Sequence, residues 1–573
     1  MLKRELNFLV ILSLILGMLA ACEKVAENPE DGDDTDVYTY DTTIVVQVNL
    51  NGNSITVVPD VATVSGTRVT LKSAGTYKIT GTLTDGQIVV NANNTGNVRI
   101  ILNGVTIKCS NSAPIYIKDA DKALIDLADG TVNTLIDGTS YVTVDGEPNA
   151  TLFSDSELII YGNGSLNVTA NYNDGISSDD GLVIKSGTIT VKAADDGIRG
   201  KDYLIIQDGK ITVNSTGDAL KSDNETDTSK GYIIIDSGTL SLSASAGDAV
   251  DAVTNLTVNG GIFNIITGGG AGTSTGGGGG GMPGGGSSGG YSGTISEKAL
   301  KGNVSVKIEK GTFTINSADD ALHSNGLVII DDGNLSVATG DDAVHAETSI
   351  IINGGTLNIT KSFEAIESAS ITVNKGNVIL VATNDGFNAT NGSGGEANDG
   401  SILTFNGGYV VADVSSGDGL DSNGNIVMTG GTVIVHGPLS APEVAFDFNG
   451  TFTISGGILI GGGPNSGNMI EVPGSNSSQY CIKATSSSNV SVSTIFHIQD
   501  ASGNDVVTFK PVRSTYYFAF SSSQLTNDSS YSIYTGGIST GFNTGGLYTG
   551  GTYSGGILKK TFTISSKITS ITF

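Results

Sequence analysis

Tryptophan is absent from the 573 residues, histidine occurs only four times, cysteine three times, and 15% of the chain is charged. Each scarcity excludes something. The cysteines, Cys22, Cys109 and Cys481, form no pair at metal-ligand or redox spacing. Cys109 and Cys481 read as buried, inert thiols. With 29 basic residues against 57 acidic ones and a net charge of −28, the chain lacks the basic stripe that a phosphate backbone requires, so nucleic acid is excluded as a partner. Apolar residues do not recur at helical spacing, which excludes an α-solenoid. The apolar run of residues 6–19 is too short for a comfortable membrane span.

What is abundant is glycine, 81 residues of it, and one returning phrase. Asp174-Gly175-Ile176, Asp196-Gly197-Ile198, Asp218-Ala219-Leu220 and Asp248-Ala249-Val250 precede a Gly-rich interruption. Lys298-Ala299-Leu300, Asp320-Ala321-Leu322, Asp342-Ala343-Val344, Glu364-Ala365-Ile366, Asp385-Gly386-Phe387 and Asp418-Gly419-Leu420 follow it. A period of about 22 residues with loop-sized additions marks a solenoid, each coil burying its apolar face only against its neighbours. Inside a repeat, short β-branched runs are split by glycine, as in Val183–Val191, so three strands and three bends fill one coil. The expected fold is all-β: a right-handed parallel β-helix, its hand following from the bias of parallel crossovers.

The domain reading runs in order. Residues 1–22 carry Lys3 and Arg4, the apolar run and Leu19-Ala20-Ala21-Cys22. That pattern is a secretory signal, and its ending resembles a bacterial lipoprotein signal with Cys22 lipidated. An ordinary signal with a chance cysteine is the alternative. The expected location is the outer membrane or cell surface, with the lipid as the only membrane attachment. Residues 23–42 are an acidic tether, and residues 43–463 are the β-helix. Residues 268–293, nearly pure Gly and Ser, are an insertion, either a loose loop or a lid over a binding face. Residues 464–573 lose the repeat and read as a small β-rich domain or cap.

Stacking turns the first position of the phrase into a ladder of carboxylates roughly 4.8 Å apart, interrupted by Lys298. Two such charges repel by roughly 3.5 kcal/mol at an effective dielectric near 20, so a run of them needs cations, backbone donors or raised pKa values. Hard oxygen ligands favour Ca²⁺. The candidate ligands are Asp174, Asp196, Asp202, Asp218, Asp223, Asp320, Asp342, Glu364, Asp385, Asp418 and Asp421. The alternative is that these aspartates cap turns. The third position, always apolar, should point inward. The second, always Gly or Ala, leaves the backbone bare beside a polar stripe and gives room for a long flat ligand. The fourth runs Ser177, Arg199, Lys221, Asp251, Lys301, His323, His345, Glu367, Asn388, Asp421, from basic to acidic. Arg199, Lys221, Lys301, His323 and His345 are the candidate carbohydrate contacts. The two histidines could hold a metal, but no third His or Cys accompanies them.

Several phrases together resemble a known family, the secreted bacterial carbohydrate-binding β-helix proteins. They include Gly75-Thr76-Tyr77, Leu102-Asn103-Gly104-Val105, Asp195-Asp196-Gly197-Ile198-Arg199-Gly200-Lys201-Asp202, Asp319-Asp320-Ala321-Leu322-His323-Ser324-Asn325 and Gly417-Asp418-Gly419-Leu420-Asp421. The resemblance implies a calcium-dependent, polysaccharide-lyase-like fold that binds plant-type polysaccharides, acidic pectin sugars and cellulose among them. It does not settle catalysis. A binder with no catalytic residue is the primary expectation. A lyase acting on uronate polymers, using Arg199 and Lys201 beside the acids of that coil, is the alternative. An adhesive surface fibre is the third.

Overall fold

A computed structural model describes Tyr38 and residues 40–93, 96–143, 147–272, 294–392, 397–492 and 494–573. The signal, Cys22, most of the tether and residues 273–293 of the insertion lie outside the described residues.

Each repeat folds as three short strands. In the coil that opens at Asp196 these are Ile198–Gly200, Tyr203–Ile206 and Lys210–Ser215. Each pairs in parallel with its counterpart in the next coil: Ile198 faces Leu220, Leu204 faces Ile233 and Ile211 faces Leu240. Among the described residues the strands make three sheets, of 33, 16 and 6 strands. The first strand of every coil belongs to the 16-stranded sheet. The second and third strands share the 33-stranded one, because Val98–Cys109 pairs with Ala123–Leu127 through its first half and with Val132–Asp137 through its second.

The sequence explains the coil. In Lys210–Ser215, Ile211, Val213 and Ser215 are buried while Lys210 and Asn214 are exposed, the period of two that one buried sheet face requires. Ile176, Ile198, Leu220, Val250, Leu300, Leu322, Val344, Ile366, Phe387 and Leu420 are fully buried, as the third position of the phrase predicts. At the bend before the third strand stands a stack of glycines. Gly209, for example, has φ +134°, and a Cβ there would sit 3.1 Å from the carbonyl oxygen of Gly187 in the previous coil. The preceding bend side carries an amide ladder. Asn353 donates to Asp331, Asn374 to Asn353 and Asn406 to Asn374, all at 2.7–2.9 Å.

Antiparallel pairs begin the stack, and at its far end they extend the 33-stranded sheet, while the 16-stranded sheet ends on Phe446–Phe448. At the start, Val46–Gly52 pairs with Ile55–Val58, and Thr63–Ser65 with Arg68–Leu71. At the far end, Ile458–Gly463 pairs antiparallel with Thr515–Ser521, and that strand pairs with Cys481–Val490. The six-stranded sheet contains Phe496–Asp500, Asp505–Phe509, Ser530–Ser539 and Tyr553–Thr563, and it is antiparallel. Its core is continuous with the coils, because Phe496, Phe518, Phe520 and Ile533 pack with Val411, Ile434 and Ile460.

Arg513 fastens that junction. Its guanidinium pairs with Asp413 and donates to the carbonyls of His436 at 3.0 Å and Gly437 at 2.7 Å. Arg513→Ala would leave these partly buried acceptors without a donor, and should lower stability by about 2–4 kcal/mol. Calorimetry checks this: a low-temperature shoulder from the C-terminal sheet is expected, and an unchanged trace would contradict the role.

Candidate functional site

The register of the first column stacks the fourth positions face to face. Ser177 lies beside Arg199, Arg199 beside Lys221, Lys221 beside Asp251, Asp251 beside Lys301, and Lys301 beside His323. His323 lies beside His345, His345 beside Glu367, Glu367 beside Asn388, and Asn388 beside Asp421. The column continues past the phrase as read, to Asp447 on one side and to Phe153 and Tyr116 on the other. Those coils lack an acidic first residue, which is why the phrase alone does not reveal them.

The small second position has a different cause from the one expected. Ala219, Ala249, Ala299, Ala321, Ala343 and Ala365 are fully buried, so they face the interior and offer no ledge to a ligand. A Cβ on Gly197 would stand 2.2 Å from a methyl of Val213 and 2.6 Å from the carbonyl oxygen of Ala219. Tight coil stacking demands the small residue.

Asp174, Asp196, Asp218, Asp248, Asp320, Asp385 and Asp418 each reach forward by one coil, and all but Asp385 are buried. Asp174 accepts the amide of Asp196 at 3.3 Å, Asp196 that of Asp218 at 2.8 Å and Asp218 that of Asp248 at 2.7 Å. Asp248 accepts the amide of Lys298 at 2.7 Å and Asp320 that of Asp342 at 3.1 Å. Asp385 serves Asp418, and Asp418 serves Val444. One oxygen of each of these seven is thus spent on the backbone, and the other is what can meet a cation, whereas Glu364 accepts the side-chain amides of Asn384 at 2.8 Å and Asn388 at 2.9 Å, one on each oxygen.

Which cation it meets changes along the column. Lys221 places its ammonium 3.0 Å from Asp196 and 2.9 Å from Asp218. Burial works against that charge, but Asp218 and Asp196 outweigh it and hold the amine well above its ordinary value. Lys301 spans Asp248 at 3.1 Å and Asp251 at 3.2 Å. Lys298 pairs with Asp319 at 2.6 Å and Asp320 at 3.3 Å. Arg199 is clamped between Asp179 and Asp223, both at 3.0 Å, and donates to Ser177 at 3.1 Å. Beyond Asp320 the lysines stop. His323 lies 2.8 Å from Asp320 and His345 3.1 Å from Asp342. Among the described residues no lysine or arginine pairs with Asp342, Glu364, Asp385 or Asp418.

The proton affinities follow this gradient. Burial, partly offset by Lys221, pushes Asp196 up to about 6, and burial offset by Lys301 does the same for Asp251. Asp174 goes up to about 8 through burial and the charge of Asp196. In the lysine-free coils, burial and neighbouring carboxylates raise Asp342, Asp385 and Asp418 well above the carboxylate range. Glu367 rises to about 10 through burial and its hydrogen bond to Glu364. Asp320 differs: burial pushes it up, but the hydrogen bond from His323 and the charge of Lys298 hold it below its ordinary value.

Of the remaining sequence candidates, Asp202 stands outside the ladder, paired with Lys230 and accepting from Asn224. Asp223 belongs to the Arg199 clamp, and Asp421 lies on the outward stripe between Asn388 and Asp447. Lys201 sits just past its strand, partly exposed and without an ion pair among the described residues. Sequence reasoning missed Lys230 as a partner, since it lies in the insertion that stretches its repeat.

Stacked parallel coils bearing one repeated polar stripe define a solenoid. The family model of carbohydrate-binding domain-containing proteins matches residues 65–343 and 328–465, and the chain belongs to that family. A protein of Acetivibrio thermocellus with the same description is 43% identical over 203 residues, 35% of this chain and 71% of its own length. The solved structure of the polysaccharide lyase-like protein from C. thermocellum, a gadolinium derivative, is 35% identical, with 39% of this chain and 92% of that chain covered and a TM-score of 0.38.

Proposed function

We propose that this protein binds an acidic, pectin-like polysaccharide along the outward stripe of a right-handed β-helix, with Ca²⁺ held in the lysine-free coils. The observation that supports this most is the change of counter-ion along one register-locked column, from lysine and arginine to histidine and then, beyond His345, to no ion-paired basic side chain among the described residues. Asp342, Glu364 and Glu367 each offer a carboxylate oxygen, and these three atoms lie within 4.8 Å of one another. The donors are hard oxygens, and burial beside other carboxylates raises the proton affinity of Asp342 and Glu367, as in groups that lack a cation, so the residues fit Ca²⁺. Asp342, Glu364 and Glu367 would hold it, and a bound ion supplies a positive charge that a uronate carboxylate can share.

That charge answers a problem of sign. A chain of net charge −28 repels polygalacturonate unless its charge is reversed locally. Arg199, Lys221 and Lys301 add positive charge upstream, though each is already tied to carboxylates. Arg199 in such a clamp stays protonated, which makes it a poor base for β-elimination. Cellulose, if bound, would use the stripe without the ion. A lipid on Cys22 would hold the protein at the outer membrane or cell surface, and label from a fatty acid should be lost in Cys22→Ser.

Affinity electrophoresis tests the main claim. Polygalacturonate should retard the protein in Ca²⁺, and chelator or Glu367→Gln should weaken this by at least about tenfold, while a neutral glucan responds to neither. Retention that ignores chelator would defeat the calcium bridge. Release of ultraviolet-absorbing unsaturated products would replace binding with lyase action.

A further inference from the structure

Two of the four histidines in the chain stand in adjacent coils at the same register position. Their rings are 5.1 Å apart between centroids. Asp320, His323 and His345 each present one ligand atom, and the three atoms lie within 4.8 Å of one another. The sequence alone shows no third ligand, because Asp320 reads as one more rung of the ladder. The structure supplies it.

We propose that Asp320, His323 and His345 form a transition-metal site of the zinc type, which shares no ligand with the neighbouring all-oxygen group of Asp342, Glu364 and Glu367. Imidazole nitrogen is the donor that separates Zn²⁺ from Ca²⁺, and two imidazoles with one carboxylate are a recurring three-ligand set with an open fourth position. The side chains of His323 and His345 are 13% and 23% exposed, so that fourth position faces the outward stripe. Asp342, 3.1 Å from His345 Nδ1, is placed to orient the ring, as carboxylates behind metal-bound histidines do. Asn325 Oδ1 lies 3.2 Å from His323 Nε2.

The local charge suits a divalent ion. Asp319, Asp320 and Asp341 form their own close acidic group, and Lys298 is ion-paired with Asp319 and Asp320. One adjustment is required. His323 Nδ1 lies 2.8 Å from Asp320 Oδ2, whereas two ligands on a tetrahedral zinc stand roughly 3.3 Å apart. Binding therefore exchanges that hydrogen bond for two metal bonds, with a shift of roughly half an ångström.

The competing account is that the two histidines, when protonated, merely neutralise Asp320 and Asp342 as Lys221 neutralises its neighbours. It predicts no saturable metal binding. The test uses the whole chain without an affinity tag, titrated with Zn²⁺ by calorimetry and with Co²⁺ by visible absorption. One equivalent should bind with the intense visible bands of tetrahedral cobalt. His323→Gln and His345→Gln should each weaken binding by about 10- to 100-fold, and the Zn²⁺-induced rise in melting temperature should disappear in both. Melting each variant in chelator verifies its fold, and Asp320→Asn, which keeps the shape, provides a third route to the same loss. Absence of saturable binding, binding unchanged in both histidine variants, or displacement of Zn²⁺ by an equal concentration of Ca²⁺ would each overturn the proposal.

Discussion

In metal-free buffer the melting temperature should fall steadily as pH is raised from about 4 to about 8, and millimolar Ca²⁺ should remove most of the fall. The direction follows from which state binds protons more tightly. The aspartates start from an ordinary value of 3.8; in the folded chain Asp196 and Asp251 lie near 6 and Asp174 near 8. Asp342, Asp385 and Asp418 are likewise raised well above that ordinary value by burial among other carboxylates. Between the unfolded and folded values the native state carries the extra protons, so stability is full below the unfolded pKa and declines until the folded pKa is passed. This is the reverse of the usual acid denaturation. On the proposed calcium reading an ion takes the place of the protons at neutral pH, and its apparent affinity should therefore drop as the solution is acidified. Scanning calorimetry across this range, with chelator and with Ca²⁺, should show a difference of more than about 5 °C at pH 8. A melt that rises with pH in chelator would refute the account.

The same asparagine substitution should have opposite effects at the two ends of the ladder. Asp385 sits among Glu364, Asp418 and Asp421, whose charges together with burial oppose its ionisation. Asp385→Asn removes a repelling charge and keeps an oxygen to accept the Asp418 amide, so it should raise the melting temperature in chelator and reduce the gain from Ca²⁺. Asp196 instead shares Lys221 with Asp218. Asp196→Asn leaves a partly buried ammonium with one carboxylate fewer, and should cost about 1–3 kcal/mol with or without calcium. Denaturant melts of the two variants in both buffers distinguish the cases. Destabilisation of both, by similar amounts, would mean that the ladder acts through its amide bonds alone.

The repeat was legible because charge and size constraints fall together in one phrase. A carboxylate that must take the next amide, a small residue that must clear the next carbonyl and an apolar residue that must fill the core cannot vary independently. Ile198 and Leu322 were therefore read correctly as interior from sequence. The role of Ala219 was not, because a small residue looks alike whether it faces solvent or the neighbouring coil. The amide acceptance by Asp196 was also hidden: turn capping is local, while its partner Asp218 is one full coil away. The coils at Phe153 and Phe446 carry no acid in the first position and escaped the pattern, although their strands continue the column. The Arg513 junction could not be read at all, since it joins Asp413 to a bend residue 100 positions further along the chain.

The forward reach of the ladder carboxylates has a consequence in time. Asp174 is served only when Asp196 is in place, and Asp196 only when Asp218 is. Wherever the rung is one of these aspartates, a nascent chain thus ends in an acid awaiting its donor, and the next coil completes it. The stack has a direction of growth, from the amino end towards the carboxyl end, matching the order in which a ribosome delivers it. Val444 gives its amide to Asp418 and carries no acid of its own, so there the sequence of unmet acceptors comes to a halt.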